Sequence, residues 1–177
     1  RELLYNGAKL PKHPVASLRF ENTSGLTLER GPVTVVEDGD YKGEAVIAFT
    51  KDKNLVYLPY AVELGITVTE DRNSIMVTNR IMVEKGILVY EEYMIQSVNY
   101  TIENTTSKSQ TVTIEAPIIN TNFEPFDTDT PHVETANERR WKVNVSAHSN
   151  AEFVYKERRL MKRQERLQDI KYVQLQK

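Results

Sequence analysis

Short segments in which apolar and polar residues alternate constrain the fold of this chain more than any other feature. Val112 and Ile114 alternate with threonines and a glutamate, and Trp141, Val143 and Val145 alternate with polar residues. Because successive side chains of a β-strand point to opposite faces, this period of two predicts strands with one buried face. By the same reasoning we expect strands at residues 15–20, 33–37, 45–50, 55–60, 64–69, 75–84, 87–103 and 151–156.

Sequences rich in turn-forming residues separate these segments. The composition agrees with a β-rich chain, since 18 Val, 11 Ile, 16 Thr and 15 aromatic residues among 177 suit a pleated surface. Nine or ten short strands at nearly regular spacing predict an all-β fold, namely an antiparallel β-sandwich of immunoglobulin-like or related type. The predicted turns lie at residues 22–25, 37–40, 51–54, 70–73, 85–86, 104–107 and 148–150.

Two regions depart from the alternating pattern. Residues 119–138 are rich in Asn, Asp and Pro and predict a long loop. From residue 156 onward the alternation stops, and Leu160, Leu167 and Ile170 form a thin helical stripe. We therefore predict a sandwich domain over residues 1–156 and a short basic tail over residues 157–177. In this tail the last strand is expected to run into a helix, within a region that continues beyond this sequence.

Charge is distributed unevenly along the chain. Residues 1–138 carry 12 Lys and Arg against 21 Asp and Glu, whereas residues 139–177 carry 11 against 4. The basic end predicts either contact with a polyanion or packing of this segment along the acidic face of its own domain. The acidic majority of the chain disfavours binding to nucleic acid, because it opposes the approach of phosphates.

Several classes of chemistry lack the residues they need. The chain has no cysteine, which excludes a thiol nucleophile, a cysteine-bound metal and a disulfide framework. It has neither a glycine-rich phosphate loop nor a Gly-x-Ser-x-Gly sequence, and it has three histidines. No apolar stretch is long enough for a membrane span. The sequence thus favours a binding or structural role over catalysis, indicates no cofactor, and leaves the compartment open.

The sequence offers two weak candidate binding sites, one for a metal ion and one for a polyanion. Asp127, Asp129 and His132 fall in one loop and offer oxygen and imidazole ligands to a metal, although a solvated acidic loop explains them as well. The candidate polyanion site is the basic tail with Arg158, Arg159, Lys162, Arg163 and Arg166.

Glu91 and Glu92 are a further candidate, as a pair of carboxylates that could act together in acid–base catalysis. They are adjacent on a predicted strand, so we expect their side chains to point to opposite faces. They cannot then line one acid–base site. We expect that a carboxylate of this pair facing the interior would be satisfied by an arginine.

A longer motif carries a resemblance to a known family. Residues 17–35 read Ser-Leu-Arg-Phe-Glu-Asn-Thr-Ser-Gly-Leu-Thr-Leu-Glu-Arg-Gly-Pro-Val-Thr-Val, and residues 41–45 read Tyr-Lys-Gly-Glu-Ala. This pattern resembles the uncharacterised C-terminal domain of bacterial mucoidy inhibitor A-like proteins. Residues 100–104, 110–115, 140–145 and 153–158 resemble later strands of the same domain. The resemblance implies an all-β sandwich joined to a coiled-coil or helical region, and it supplies no catalytic residues.

Three functional hypotheses follow. The leading one is a non-catalytic β-sandwich module that mediates protein interaction or scaffolding within a larger protein, through its sheet edges and the loop over residues 119–138. Its partner would be another protein or a neighbouring domain of the same protein. The alternatives are a metal-dependent hydrolase or metal-stabilised binding domain using Asp127, Asp129 and His132, and polyanion binding through the basic tail.

Overall fold

The structure, a computed structural model, describes residues 1–166. These residues contain twelve β-strands and no helix, which confirms the predicted all-β class. Antiparallel sheets that pack together make the fold consistent with a β-sandwich. The strands are β1 (Glu2–Tyr5), β2 (Val15–Glu21), β3 (Gly31–Glu37), β4 (Asp40–Ile47), β5 (Leu55–Val62), β6 (Ile66–Glu84), β7 (Ile87–Asn104), β8 (Gln110–Pro117), β9 (Glu124–Pro125), β10 (Val133–Glu134), β11 (Glu138–Val145) and β12 (Ser149–Arg166).

The strands form three sheets. A six-stranded sheet has the order β10-β11-β8-β1-β2-β5, and its one parallel pair joins β1 to β8. A four-stranded sheet has the order β6-β7-β12-β9, and β3 and β4 form a two-stranded sheet. Contacts divide the chain into two compact units. The first unit comprises Arg1–Glu70, Tyr100–Ile118 and Thr130–Phe153, and the second comprises Asp71–Asn99, Ile119–Asp129 and the chain from Val154 onward.

The first unit has an aromatic and aliphatic core. Ile114 is fully buried on β8, and it is paired with Trp141 on β11 and with Tyr5 on β1. The ring centroids of Trp141 and Phe153 lie 5.3 Å apart, and those of Phe153 and Tyr100 lie 6.0 Å apart. The alternation around Trp141 therefore identifies the buried face of its strand correctly, because every second residue there packs into this core.

The structure corrects the prediction for the basic tail. Residues 157–166 are the end of β12 and not a helix. The reason is that neighbouring arginines of this segment stack on aromatic rings of the second unit, with Arg158 over Tyr93 and Arg159 over Phe123. Leu167 and Ile170 lie outside the described residues.

The predicted turn at residues 70–73 is also wrong. These residues lie inside β6, which runs continuously for 19 residues and joins the predicted strands at residues 64–69 and 75–84. Their polar side chains suit an exposed strand as well as a turn, since Asp71, Arg72 and Asn73 are all exposed. Three short strands were not predicted, namely β1, β9 and β10. Apart from β9, β10 and Glu138, which begins β11, the predicted loop at residues 119–138 has no regular structure.

Two turns of the first unit use the same local structure. Asn22 and Asn104 are buried, and each is followed two residues later by a hydroxyl residue, Ser24 or Thr106. In both turns this hydroxyl donates a 2.7 Å hydrogen bond to the asparagine Oδ1. The asparagine Nδ2 in turn donates to the backbone carbonyl four residues ahead, at 2.8 Å from Asn22 and 2.9 Å from Asn104. The side-chain amide thus satisfies backbone groups that the turn would otherwise leave unpaired.

We expect Asn104→Ala to lower the free energy of unfolding by about 2 kcal/mol, because it leaves partly buried backbone carbonyls, including that of Lys108, without a donor. Nδ2 of Asn104 also donates to the carbonyl of Ser146 at 3.0 Å. Urea unfolding followed by circular dichroism measures the change. Asn144→Ala is the matched control, since Asn144 is exposed and bonds to Thr111 at the surface. Equal effects of the two substitutions would contradict this role for Asn104.

Candidate functional site

The outer face of the six-stranded sheet, opposite Trp141, carries polar side chains that could recognise a ligand. Arg140 is paired with Glu115, and Lys142 with Thr113, while Trp141 between them is buried in the core. Because side chains alternate along a strand, these four residues share the face opposite Trp141.

A buried glutamate lies at the centre of this face. The side chain of Glu115 has no exposed surface, and its Oε1 accepts hydrogen bonds from Lys9 Nζ at 2.8 Å and Asn6 Nδ2 at 2.7 Å. Its Oε2 accepts from Arg140 through Nε at 2.9 Å and lies 2.8 Å from Nη2. Arg140 Nη2 also bonds to Glu138 at 2.5 Å. The carboxylate is thus bonded to three side chains, two of them cationic, as a buried charge requires.

The surroundings of Glu115 keep it ionised. Burial by itself raises the pKa of this carboxyl group, but the hydrogen bonds from Lys9 and Asn6 and the charges of Lys9 and Arg140 outweigh it and hold the pKa at about 2. In return, the hydrogen bond to Glu115 raises the pKa of Lys9. A carboxylate with so low a pKa is a poor general base and cannot serve as a general acid near neutrality. This cluster is suited to fixing side chains in place and not to proton transfer.

The loop between β1 and β2 positions two members of the cluster. Asn6 Oδ1 accepts hydrogen bonds from the backbone nitrogens of Ala8 and Lys9, at 3.0 and 3.2 Å, which forms a tight turn. This turn directs Lys9 back towards Glu115. At the end of the same loop, His13 Nδ1 lies 2.8 Å from the carbonyl oxygen of Ile66.

A pocket of about 390 Å³ lies beside the cluster, on the same face. Its size is at the lower end of the range for small-molecule sites and is sufficient for an apolar side chain of a peptide. The polar groups of the cluster form part of its wall, and the remainder is mainly apolar. The pocket is lined by Leu4, Asn6, Lys9, Leu10, His13, Val15, Tyr57, Pro59, Glu115 and Arg140.

A second pocket of about 530 Å³ lies next to the first and has a basic lining. Thr113 and Lys142 line it and lie two residues from Glu115 and Arg140 on the same strands, which is about 6.6 Å along each strand. Within residues 1–166, Arg19 and Lys142 form no ion pair, so their charges are available at this surface. The pocket is lined by Arg1, Glu2, Arg19, Thr111, Thr113, His132, Val133, Lys142 and Asn144.

The predicted metal ligands occupy separate environments. Asp127 Oδ2 forms an ion pair with Lys156 Nζ at 2.5 Å, and Asp129 also has an interaction of its own. The backbone nitrogen of His132 donates to the carbonyl of Arg140 at 3.0 Å, and its side chain lines the second pocket. In the part of the chain that the structure describes, no three His, Asp or Glu side chains are grouped to hold a metal ion.

Most of the predicted polyanion-binding residues already have partners in the second unit. Arg158 lies 4.5 Å above the rings of both Tyr93 and Phe126, and its Nε donates to Glu124 at 2.9 Å. Arg163 lies over the ring of Tyr90 at 4.0 Å. Arg159 stacks over Phe123 at 5.1 Å, Lys162 pairs with Glu91, and Arg166 is exposed. The basic segment therefore packs along acidic and aromatic groups of its own chain.

Glu91 and Glu92 face opposite sides of the second unit's sheet, as their adjacency predicts. Glu91 is largely buried and lies 2.9 Å from Lys162 and 3.4 Å from Arg80. A hydrogen bond from Lys162 lowers the pKa of Glu91. Glu92 instead lies 3.8 Å from Arg163. Each carboxylate thus has its own cationic partners, and the two do not form one acid–base site.

The sequence did not identify Asn6, Lys9, Glu115 and Arg140 as site residues. Glu115 occupies a polar position of an alternating strand, which the pattern assigns to solvent. Its partner Asn6 lies 109 positions away in the chain. Only the topology of the sheet, which places β1 beside β8, brings them together.

Comparisons with known proteins gave no match: no family model, no curated protein and no solved structure matches the chain. Among residues 1–166 there is no helix with the length and apolar character needed to cross a membrane.

Proposed function

We propose that this chain is a non-catalytic β-sandwich interaction module of a larger protein. Its outer sheet face would bind a segment of a protein partner that carries an apolar side chain next to acidic residues. The observation that carries the proposal is the juxtaposition of an apolar pocket with a basic pocket on one face.

The apolar pocket supplies the anchor. Leu4, Leu10 and Val15 offer an apolar surface to an incoming side chain. The Glu115 cluster beside them is internally neutralised by Lys9 and Arg140, so it gives the pocket a rigid wall without attracting a cation. Burial of a medium-sized apolar side chain contributes about 1.5–3 kcal/mol, which suits a weak and reversible interaction.

The basic pocket supplies the charge preference. Arg19 and Lys142 project from adjacent parts of the face and have no acidic partner among the described residues. Carboxylates that follow the apolar anchor in the partner would meet these cations. Such contacts at an exposed rim act mainly on specificity and association rate.

The alternatives have less support. A metal site at Asp127 competes with the ion pair that this carboxylate forms with Lys156. Polyanion binding by Arg158 and Arg163 competes with their aromatic and acidic partners. Membership of the mucoidy inhibitor A-like group, with neighbouring coiled-coil or helical regions, remains part of the proposal on the strength of the sequence motifs alone.

Titration of the isotope-labelled chain with the peptide acetyl-Leu-Glu-Glu-amide tests this function by nuclear magnetic resonance. We expect saturable, millimolar binding that shifts the backbone amide signals of Lys9, Leu10 and Lys142. Leu10→Trp should abolish the shifts, because the larger ring occupies the pocket. Leu26→Trp is the matched control, since Leu26 is an exposed loop leucine away from the pocket lining.

A second binding experiment tests the proposed preference for acidic residues in the partner. The double variant Arg19→Glu, Lys142→Glu should bind this peptide at least about fivefold more weakly, but should bind acetyl-Leu-Gln-Gln-amide unchanged. The double variant Arg30→Glu, Lys51→Glu controls for the same change in net charge, because both residues are exposed and outside both pockets. Shifts that do not saturate, or that persist in Leu10→Trp, would contradict the proposal.

A further inference from the structure

We propose that the outer part of β6, from Asp71 to Glu84, pairs with the same segment of a second copy of this chain. The two segments would run antiparallel about a twofold axis at Thr78 and join two sheets edge to edge. This surface belongs to the second unit and is independent of the pockets described above.

The first argument is the exposed edge. β6 is the terminal strand of the four-stranded sheet β6-β7-β12-β9. From Asp71 to Glu84 every residue except Met82 is exposed. Among residues 1–166 no strand pairs with this outer edge, and an edge with free backbone N–H and carbonyl groups is a template for another strand.

The second argument is the composition of this edge. Ile75 is 49% exposed, Ile81 54% and Val83 62%, and Met76 and Val77 are also exposed. Natural edge strands are commonly protected by proline, lysine or a bulge. Within the strand the sequence, Asp-Arg-Asn-Ser-Ile-Met-Val-Thr-Asn-Arg-Ile-Met-Val-Glu, contains neither proline nor lysine, and Lys85 follows it in the turn.

The third argument is self-complementarity. With the axis at Thr78, Ile75 of one copy lies opposite Ile81 of the other, which makes two apolar pairs. Near the ends of the segment opposite charges meet, since Arg72 falls opposite Glu84, and Lys85, in the turn that follows the strand, comes near Asp71. Each contact occurs twice, as a twofold interface requires.

Neighbouring registers lack this charge match. An axis at Asn79 aligns Ile75 with Val83, but it leaves Asp71 and Arg72 without an opposite charge. An axis at Val77 places Glu70 opposite Glu84, which is repulsive. Charge complementarity therefore selects the register centred on Thr78.

Sedimentation equilibrium of the full 177-residue chain, between about 5 and 500 µM, tests the proposal. We expect a monomer–dimer equilibrium. Ile81→Lys should weaken dimerisation by roughly 100-fold, because it places a charge at two apolar pairs. A chain that stays monomeric over the whole range would overturn the proposal.

A charge exchange tests the register. Lys85→Glu and Asp71→Lys should each weaken the dimer by about tenfold, and the double variant Asp71→Lys, Lys85→Glu should restore it. Lys53→Glu is the matched control, since Lys53 is also an exposed turn lysine with positive φ, 63° against 49° for Lys85. A dimer that survives Ile81→Lys, or that ignores both charge reversals, would overturn the proposed pairing. Circular dichroism spectra that match the native chain show that each variant is folded.

Discussion

Replacing Glu115 with Gln is expected to lower the free energy of unfolding by about 3 kcal/mol at pH 7. The substitution keeps the shape of the side chain but removes the charge that neutralises Lys9 and Arg140. Breaking a buried ion pair from one side costs about 3–5 kcal/mol, and the value is reduced here because Lys9 is largely exposed and Arg140 keeps Glu138. Urea unfolding at constant pH measures the loss. Glu103→Gln, at an exposed position, is the control and should change stability little.

The same carboxylate predicts a pH dependence. Its pKa is about 2 in the folded chain against an ordinary value of 4.5, so its contribution to stability is complete above pH 4.5 and is lost as the pH falls towards 2. The size of the shift corresponds to about 3 kcal/mol. The informative quantity is the difference between the native chain and Glu115→Gln, because it isolates the contribution of this one carboxylate. That difference should shrink between pH 4.5 and 2, and parallel stability curves would refute the assigned role of Glu115.

Trp141→Ala should lower the free energy of unfolding by about 4 kcal/mol, which makes it the most destabilising single substitution considered. Trp141 is 3% exposed and packs against Phe153 in the core of the first unit. Truncation of a buried aromatic side chain removes its transfer free energy and leaves a cavity. Because Trp141 is the single tryptophan, unfolding must be followed by circular dichroism rather than by its fluorescence.

Two further variants test whether the effect of Trp141→Ala comes from the loss of a buried aromatic ring. Trp141→Phe retains part of the packing and should cost about half as much. Tyr41→Ala removes an aromatic ring that is 64% exposed and should change stability by less than about 0.5 kcal/mol. A loss below about 1 kcal/mol for Trp141→Ala would contradict the placement of this ring in the core.

Local patterns in the sequence were sufficient to predict most of the strands. Alternation identified the core-facing residues of β8 and β11, but β8 is buried on both faces, since Thr113 and Glu115 are buried as well as Ile114. The four-residue strand β1 is too short to show a period. The polar stretch at residues 70–73 was misinterpreted because turn-forming residues are also tolerated on an exposed strand, and exposure depends on the tertiary structure.

The candidate site could not be predicted for a related reason. Its components come from the first loop, from β8 and from β11, and Lys9 lies 106 positions from Glu115. Nothing in the neighbourhood of Glu115 distinguishes it from a solvated glutamate such as Glu103. What sets it apart is the loop after β1, which supplies Asn6 and Lys9 as hydrogen-bond donors to this buried carboxylate.

The two buried asparagine turns have a consequence for how the protein can be produced. Asn22-Thr-Ser24 and Asn104-Thr-Thr106 both match the acceptor sequence for N-linked glycosylation. In each turn the Nδ2 that would carry the sugar is committed to backbone carbonyls inside the fold. A glycan attached during secretion from a eukaryotic cell would therefore block the turn before the chain could close it. Synthesis in a compartment without oligosaccharyltransferase leaves both asparagines unmodified, so that the two turns can close.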